Sequence, residues 1–337
     1  MITATTIAVF LMLFIVSAIL AKLCIIFGFR FAYTTGNNVP RIGGIAIMVA
    51  WWLAAVLFGF INTKTLLPLI AISFLILFIG LLDSRQPLGP WLQLGAQIII
   101  ASLAVFWGNL SIDYITNPFG GIISFNSTPL FGAVFLGDLL CVIWIVAMMN
   151  VINFLDGMDG LAGSVTIIAF LAIGFVSVLP QVNDVPTAIA AFAAASAIAG
   201  FLFYNFPPAK LILGTVGSWF IGFLIAILAI QGATKVATTA VVGAVPLIDA
   251  LIVILGRLRR GNSPFRGDYT HLHHRLKRRG LSDQTILALY VVCSVILGLA
   301  AVVLQTHNKI ILFLVFAVGL MIFVLVGSWV VRKKIRV

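Results

Sequence analysis

The stretch NVINFLDGMDGLAGS, residues 150–164, places two carboxylates and two side-chain amides in a chain that otherwise reads as membrane. All nine acids are Asp, 62% of the residues are hydrophobic, and mean hydropathy is +1.22. Charge inside lipid is costly, so Asp156 and Asp159 belong to a wet site or to a loop at the membrane face. The same pattern recurs at Asp83, over 205–218 and over 256–283, where short polar segments separate long apolar runs.

Working outward, a hydrocarbon core of ~30 Å needs ~20 apolar residues per helix. Runs of about that length lie near 6–27, 42–61, 65–82, 91–108, 131–149, 163–180, 187–204, 218–231, 236–255, 284–305 and 310–331. The eighth is short and reads as tilted or half-buried in protein. The alternation of a membrane barrel is missing, which leaves helices as the spanning structure. The expected fold is therefore all-α: one polytopic integral membrane domain over 1–337 with about eleven transmembrane helices. No basic residue precedes the first run and no small-residue cleavage site follows it, so it reads as a retained helix. Cys24, Cys141 and Cys293 sit far apart in apolar runs, as small core residues without disulfide or metal spacing. In the longest outer loop, 109–130, Gly120-Gly121 suggests a small hairpin.

Orientation follows from the basic residues. With the loops 28–41, 83–90, 150–162, 205–217, 256–283 and the C-terminus on one side, that side holds all of the 20 Lys and Arg except Lys64, Lys235 and Lys309. This places the N-terminus outside and the C-terminus in the cytoplasm. Topology alone accounts for the charge on the bland reading. Nucleic acid is disfavoured because the charge sits in membrane loops; anionic lipid head groups or a phosphate substrate suit it better.

Each polar motif has two readings. Asp83 alone would pass for an idle acid at a helix end. Asp156 and Asp159, three apart, would share a helix face or cap the next helix, whose N-terminus also suits a phosphate. His271, His273 and His274 lie beside Arg275 in a loop that also carries Arg266 and Asp268. That loop reads as a solvated basic anchor, as a zinc site lacking a nearby Cys or Glu, or as donors to phosphate oxygens. Arg41 beside Gly43-Gly44 is a topology charge or the start of a close helix contact. Pro207-Pro208 breaks the chain, and Lys210 reaches phosphate or snorkels.

Five motifs occur in order: PRIGGIAI (40–47), GLLDSRQPLGP (80–90), NVINFLDGMDGLAG (150–163), NFPPAKLILGTVGSWFIGF (205–223) and SPFRGDYTHLHHRL (263–276). Together they resemble the polyprenyl-phosphate N-acetylhexosamine-1-phosphate transferase family over nearly the whole chain. The HLHHRL segment is most similar to the branch that moves N-acetylglucosamine 1-phosphate from UDP-N-acetylglucosamine to undecaprenyl phosphate. The resemblance implies a UMP-releasing transferase that starts a cell-surface polysaccharide, in a bacterial-type inner membrane, with its site facing the cytoplasm. Its implied partners are a UDP-N-acetylhexosamine, polyprenyl phosphate and membrane lipids, with a homodimer as an option. Its implied cofactor is Mg²⁺, with Mn²⁺ as the alternative, since a dication offsets the repulsion between two phosphates.

By the same resemblance, Asp83 lies near the attacking lipid phosphate and Asn153 helps hold the metal. Asp156 and Asp159 organise nucleotide and sugar. Arg41, Asn150, Lys210, His271, His273, His274 and Arg275 handle substrate. Two positions depart from the family pattern: Ser84 stands where a second adjacent Asp is usual, and Thr215 where the metal-binding Asp is usual. A retuned enzyme, an inactive relative that still binds UDP-sugar or lipid phosphate, and a deliberately disabled variant all fit these departures. A secondary transporter fits less well, because the acids gather at one membrane face instead of the midplane.

Overall fold

The computed structural model describes residues 4–31, 33–34, 38–117, 121–125, 129–131, 134–231, 233–261 and 270–335. Among them the helices are α1 (Ala4–Arg30), α2 (Gly44–Phe58), α3 (Thr63–Arg85), α4 (Pro90–Phe106), α5 (Leu136–Leu155), α6 (Leu161–Val178) and α7 (Val185–Asn205). After these come α8 (Gly214–Ile230), α9 (Ala233–Val242), α10 (Ala244–Leu258), α11 (Leu272–Arg278), α12 (Asp283–Val303) and α13 (Thr306–Ile335). The helix ends carry ordinary caps. Asn62, Asp184 and Ser282 each accept a backbone N–H from the first turn of α3, α7 and α12, and Pro90 opens α4.

Each apolar run of the sequence lies mainly on helix, the fifth from Leu136 onward. By length and composition, seven of the described helices could cross a bilayer, or eight if one bent pair counts as a single span. That pair is α9 and α10, which meet at 77° where a continuous helix over 236–255 was expected. Pro246 explains the break: it has no N–H to return to the carbonyl of Val242, and its ring crowds the preceding turn. α2, α4 and α8 are apolar but shorter.

α8 is the hub. Almost its whole length, Gly214 to Ala229, is buried, so its neighbours shield it on every side. Inside lipid, helix association depends on close packing instead of expulsion of water, and small residues permit that approach. A Cβ on Gly44 of α2 would lie 2.0 Å from the Gly217 nitrogen, and one on Gly80 of α3 would lie 2.6 Å from Val216. On the α5 side, a Cβ on Gly222 would lie 2.6 Å from the Met149 Cα. Three helices thus reach the α8 backbone through glycine contacts, and their ends are carried to one place. The three cysteines are free, as their spacing suggested.

The sheet content is slight. β1 (Tyr114–Thr116) pairs antiparallel with β2 (Ile122–Ser124), Tyr114 opposite Ser124, so the hairpin expected in the 109–130 loop is present. Gly121 takes φ +78° there, while Gly120 lies outside the described residues. β3 (Pro129–Phe131) and β4 (Val134–Phe135) form a second small ladder before α5. α5 also runs further than expected, to Leu155, so Asn150 and Asn153 are helical residues and not part of a loop.

Candidate active site

The first turn of α8 organises the site. Gly214 adopts φ +70°, a left-handed conformation that favours glycine, and a Cβ there would lie 2.1 Å from the Arg41 carbonyl oxygen. The chain can therefore turn tightly against 40–44. The Ile212 N–H donates to the Pro40 carbonyl (2.8 Å), while Gly43 and Gly44 donate back to Ile212 (3.0 Å) and Leu213 (2.9 Å). With the turn fixed, the next residues face three different partners. The Gly214 N–H donates to Asp156 Oδ2 at 3.0 Å, Thr215 Oγ1 donates to Asp83 Oδ2, and Ser218 Oγ donates to Asn153 Oδ1 at 3.0 Å.

Asp83 is buried near the end of α3. Its other oxygen accepts from the Leu88 N–H (2.8 Å) and from Gln93 Nε2 (3.0 Å). Neighbouring Ser84 is turned elsewhere: its hydroxyl donates to the carbonyls of Gly80 (2.8 Å) and Arg41 (3.2 Å). Asp159 accepts from the Ala209 N–H at 2.9 Å, which ties the 156–160 turn to the segment after the cis Pro207-Pro208 bond. Buried Asn205 braces the same turn, accepting from the Gly160 N–H (3.0 Å) and donating to the Leu211 carbonyl (2.8 Å). Asn150 sits deeper on α5, where its Nδ2 donates to buried Gln97 Oε1 at 2.6 Å and to the Val146 carbonyl at 2.8 Å. Lys210 is exposed, and its backbone, not its side chain, is bonded back to Tyr204.

The histidines close over this turn. His271 Nδ1 meets Asp249 Oδ2 at 2.9 Å, and its ring packs on Phe154, centroids 4.9 Å apart. His273 is buried, and among the described residues its Nε2 has no hydrogen-bond partner; a Cβ on Gly157 would lie 3.2 Å from that nitrogen. The His273 and His274 rings are 4.1 Å apart. Arg275 Nε donates to the Thr270 carbonyl. Arg266 and Asp268 lie outside the described residues.

Electrostatics separates these groups. Burial pushes the Asp156 acid up to about 7; the Gly214 N–H and Arg41 oppose the shift, and Asp159 adds to it. Asp156 is half-buried as a residue, while its carboxyl is desolvated. Burial pushes the His273 imidazole down to about 3, helped by His274, His271 and Lys277. His274 is lowered too, again mainly by burial. Both imidazoles are therefore neutral at pH 7, able to donate or accept but adding no positive charge.

Of the residues expected from sequence, Asp83, Asn153, Asp156 and Thr215 meet directly around 214–218. Asp159 is tied to Ala209, and His271 and His273 pack beside Phe154 and Gly157 at the end of α5, while Arg41 joins the 214–218 turn through its backbone and its charge. Asn150 and Lys210 make their contacts apart from that cluster, and Ser84 touches it only through the Arg41 carbonyl. Ser218, Gln93, Asn205 and Asp249 were not singled out, although Asp249 is the lone acid within its apolar run, a signal in itself. Among the described residues no three His, Cys or Asp gather as a metal cage. A cavity of 660 Å³, lined by Asn109, Ser111, Asp113, Asp138 and Gln231, lies at the other ends of α5 and α8 and is no part of this cluster.

Comparison with known proteins finds relatives over most of the chain. The profile described as "Glycosyl transferase family 4" matches residues 66–233. A Bacillus subtilis protein named "Probable undecaprenyl-phosphate N-acetylglucosaminyl 1-phosphate transferase" is 31% identical over 80% of this chain and 74% of its own length. The Haemophilus influenzae undecaprenyl-phosphate alpha-N-acetylglucosaminyl 1-phosphate transferase is 30% identical over 78% of this chain and 76% of its own. The Mycolicibacterium smegmatis decaprenyl-phosphate N-acetylglucosaminephosphotransferase is 30% identical over 75% and 68%.

Proposed function

The chain belongs to glycosyl transferase family 4, and we propose that it transfers N-acetylglucosamine 1-phosphate from UDP-N-acetylglucosamine to a polyprenyl phosphate, releasing UMP and starting a surface polysaccharide. The observation that carries this reading is the convergence on 214–218. Acids and an amide from α3 and the end of α5, distant in sequence, meet one glycine-shaped turn of α8, and the neutral His273 ring packs beside Gly157, next to Asp156. A reaction between two phosphates needs such a place, where oxygen ligands and N–H donors surround the transferred group in partial exclusion of water.

In this reading Asp83 lies beside the incoming lipid phosphate. Leu88, Gln93 and Thr215 hold its carboxylate rigid, so its position is set before substrate arrives. Asp156 and Asp159, fixed by Gly214 and Ala209, organise the nucleotide and sugar. His273 and His274 accept or donate hydrogen bonds as neutral rings, and Arg41 and Arg275 supply the positive charge. The oxygen-rich set also fits a divalent cation. Asn153 Oδ1 and Thr215 Oγ1 are oxygen donors on neighbouring helices; Ser218 Oγ donates to the first and the second donates to Asp83. Mg²⁺, or Mn²⁺ in its place, would be held by Asn153 and Thr215, with substrate phosphates and water completing the shell. When bound, the dication offsets the negative charge of both phosphates.

The reading includes eleven membrane passages, with the bent α9–α10 pair as one and the shorter α2, α4 and α8 as three more. It also sets the N-terminus outside, and the C-terminus and the 214–218 turn on the cytoplasmic side of the inner membrane, as the basic residues favour. The deciding assay is release of labelled UMP from UDP-N-acetylglucosamine, by the full chain in membranes, with undecaprenyl phosphate added or omitted. Lipid-dependent release that scales with Mg²⁺ is expected; no release at any cation concentration sinks the reading. Cysteine labelling at position 268 from the outer side alone would reverse the orientation.

A further inference from the structure

Asp249 is a buried carboxylate in α10, and nothing in the transfer chemistry described above uses it. Its two oxygens are both directed at the histidine segment. Oδ1 accepts the Leu272 N–H at 2.8 Å, and Oδ2 lies 2.9 Å from His271 Nδ1. An ionised carboxylate only accepts hydrogen bonds, so the nitrogen facing it must carry the proton. The second bond, to the backbone of the following residue, prevents the imidazole from turning away from that contact. Phe154 holds the ring from the α5 side, and the His273 ring stacks 6.0 Å away.

We infer that Asp249 is a positioning residue for the transfer: it fixes His271 in the Nδ1–H form and orients its ring, so that Nε2 presents a lone pair to the site. His271 then serves as an acceptor for a hydroxyl or acid proton borne by the bound substrate, whereas a free imidazole would exchange between its two neutral forms. The polar edge of the ring is chosen by a residue of the helix beyond the α9–α10 bend. The expected effect on rate rests on the transferase reading; the expected proton position does not.

A plain structural role, in which Asp249 merely anchors the start of α11, predicts lower stability on substitution and nothing more. The Asp249→Asn variant separates the two. Its carbonyl oxygen can still accept the Leu272 N–H, but the amide NH₂ then faces Nδ1, which must become an acceptor. The proton moves to Nε2 and the lone pair toward the site disappears. The chain holds four histidines, so nitrogen NMR of histidine-labelled full-length protein in nanodiscs, assigned with His271→Gln, reads the form directly. At a pH above the histidine range the parent should show Nδ1–H at His271 and Asp249→Asn should show Nε2–H. In UMP release, kcat should fall roughly tenfold or more with KM little changed, since a lost proton acceptor forfeits part of the ~100- to 10,000-fold that acid–base assistance contributes. The parent spectrum needs no variant, so poor folding of Asp249→Asn leaves the test intact. An Nε2–H form in the parent, the same form in both proteins, or an unchanged kcat after the proton has moved overturns the assignment. If the parent releases no UMP, the transferase reading fails, while the spectrum still decides where the proton sits.

Discussion

α5 carries an Asp at each end, and the two ends differ in kind. Near its start, Asp138 accepts the Phe135 N–H at 3.3 Å, three residues back on its own chain, and helps line the 660 Å³ cavity with Asn109, Ser111 and Asp113. Just past its end, Asp156 accepts from Gly214, 58 residues away, beside acids and amides from other helices. A cavity opens at the first end. The second end has the long-range partners, the raised carboxyl and the unpartnered imidazole nitrogen. Room and negative charge do not distinguish a site here; what does is that the acid's partners come from distant segments and leave it desolvated.

The strongest way to break that comparison is to neutralise one acid at each end. Asp83→Asn and Asp156→Asn keep shape and remove charge, and should each lower UMP release by roughly a hundredfold or more, the scale seen when a preorganised electrostatic group is lost. Asp138→Asn should leave release within about threefold, since capping bonds act on stability. Equal losses in all three variants would erase the distinction between the ends.

A second test addresses the cation. In this chain Thr215 answers the Asp83 carboxylate with a hydroxyl, so the pair is satisfied by a hydrogen bond. Thr215→Asp would set two carboxylates against each other, and a dication between them would relieve the repulsion. The variant should bind Mg²⁺ roughly tenfold more tightly than the parent, as charge-assisted contacts exceed neutral ones. Ser84→Asp should change metal binding less, because Ser84 faces the Gly80 and Arg41 carbonyls. Spin-resonance titration with Mn²⁺ measures both; identical affinities in parent and Thr215→Asp would show that position 215 does not face the cation.

A third test uses pH. The Asp156 acid is raised to about 7 from an ordinary value of 3.8, so the folded protein holds this proton more tightly than the unfolded chain. Its stabilising contribution is present at low pH and is lost as pH rises from about 3.8 through about 7. Transfer that needs the carboxylate should run the other way, increasing severalfold across the same upper limit. Thermal stability of the parent should therefore decline as activity climbs, and Asp156→Asn should flatten the stability trend. A parent whose stability rises across neutral pH would mean that Asp156 is not desolvated.

Much of this was legible in the residues, for a definite reason. In a chain this apolar, each acid or amide stands out, so Asp83, Asn153, Asp156 and the histidines could be picked out in one dimension. Their meeting could not, because it depends on Gly44, Gly80 and Gly222 letting three helices reach α8, and a glycine in an apolar run resembles any other small residue. The kink at Pro246 was hidden by the continuous hydropathy of 236–255. Asp249 went unnoticed within the same run, although an acid there needs a partner. Ser218 and Gln93 carry no charge, and only the fold reveals what they touch.

The smallest expected effect belongs to the Asp138 end, and it sharpens the comparison from the other side. Asp138 stands in the first turn of α5, where the helix presents unpaired N–H groups and a partial positive charge. Its bond to the Phe135 N–H satisfies one orphan donor at the entry from β4. Asp138→Ala should cost about 0.5–2 kcal/mol, the range for losing such a cap, with UMP release per folded molecule unchanged. Denaturation in detergent, read beside the release assay, separates the two quantities. If Asp138→Ala abolished release while folding normally, the cavity beside Asp138 would have to take part in the reaction, and partners drawn from distant segments would no longer mark the functional end of this bundle.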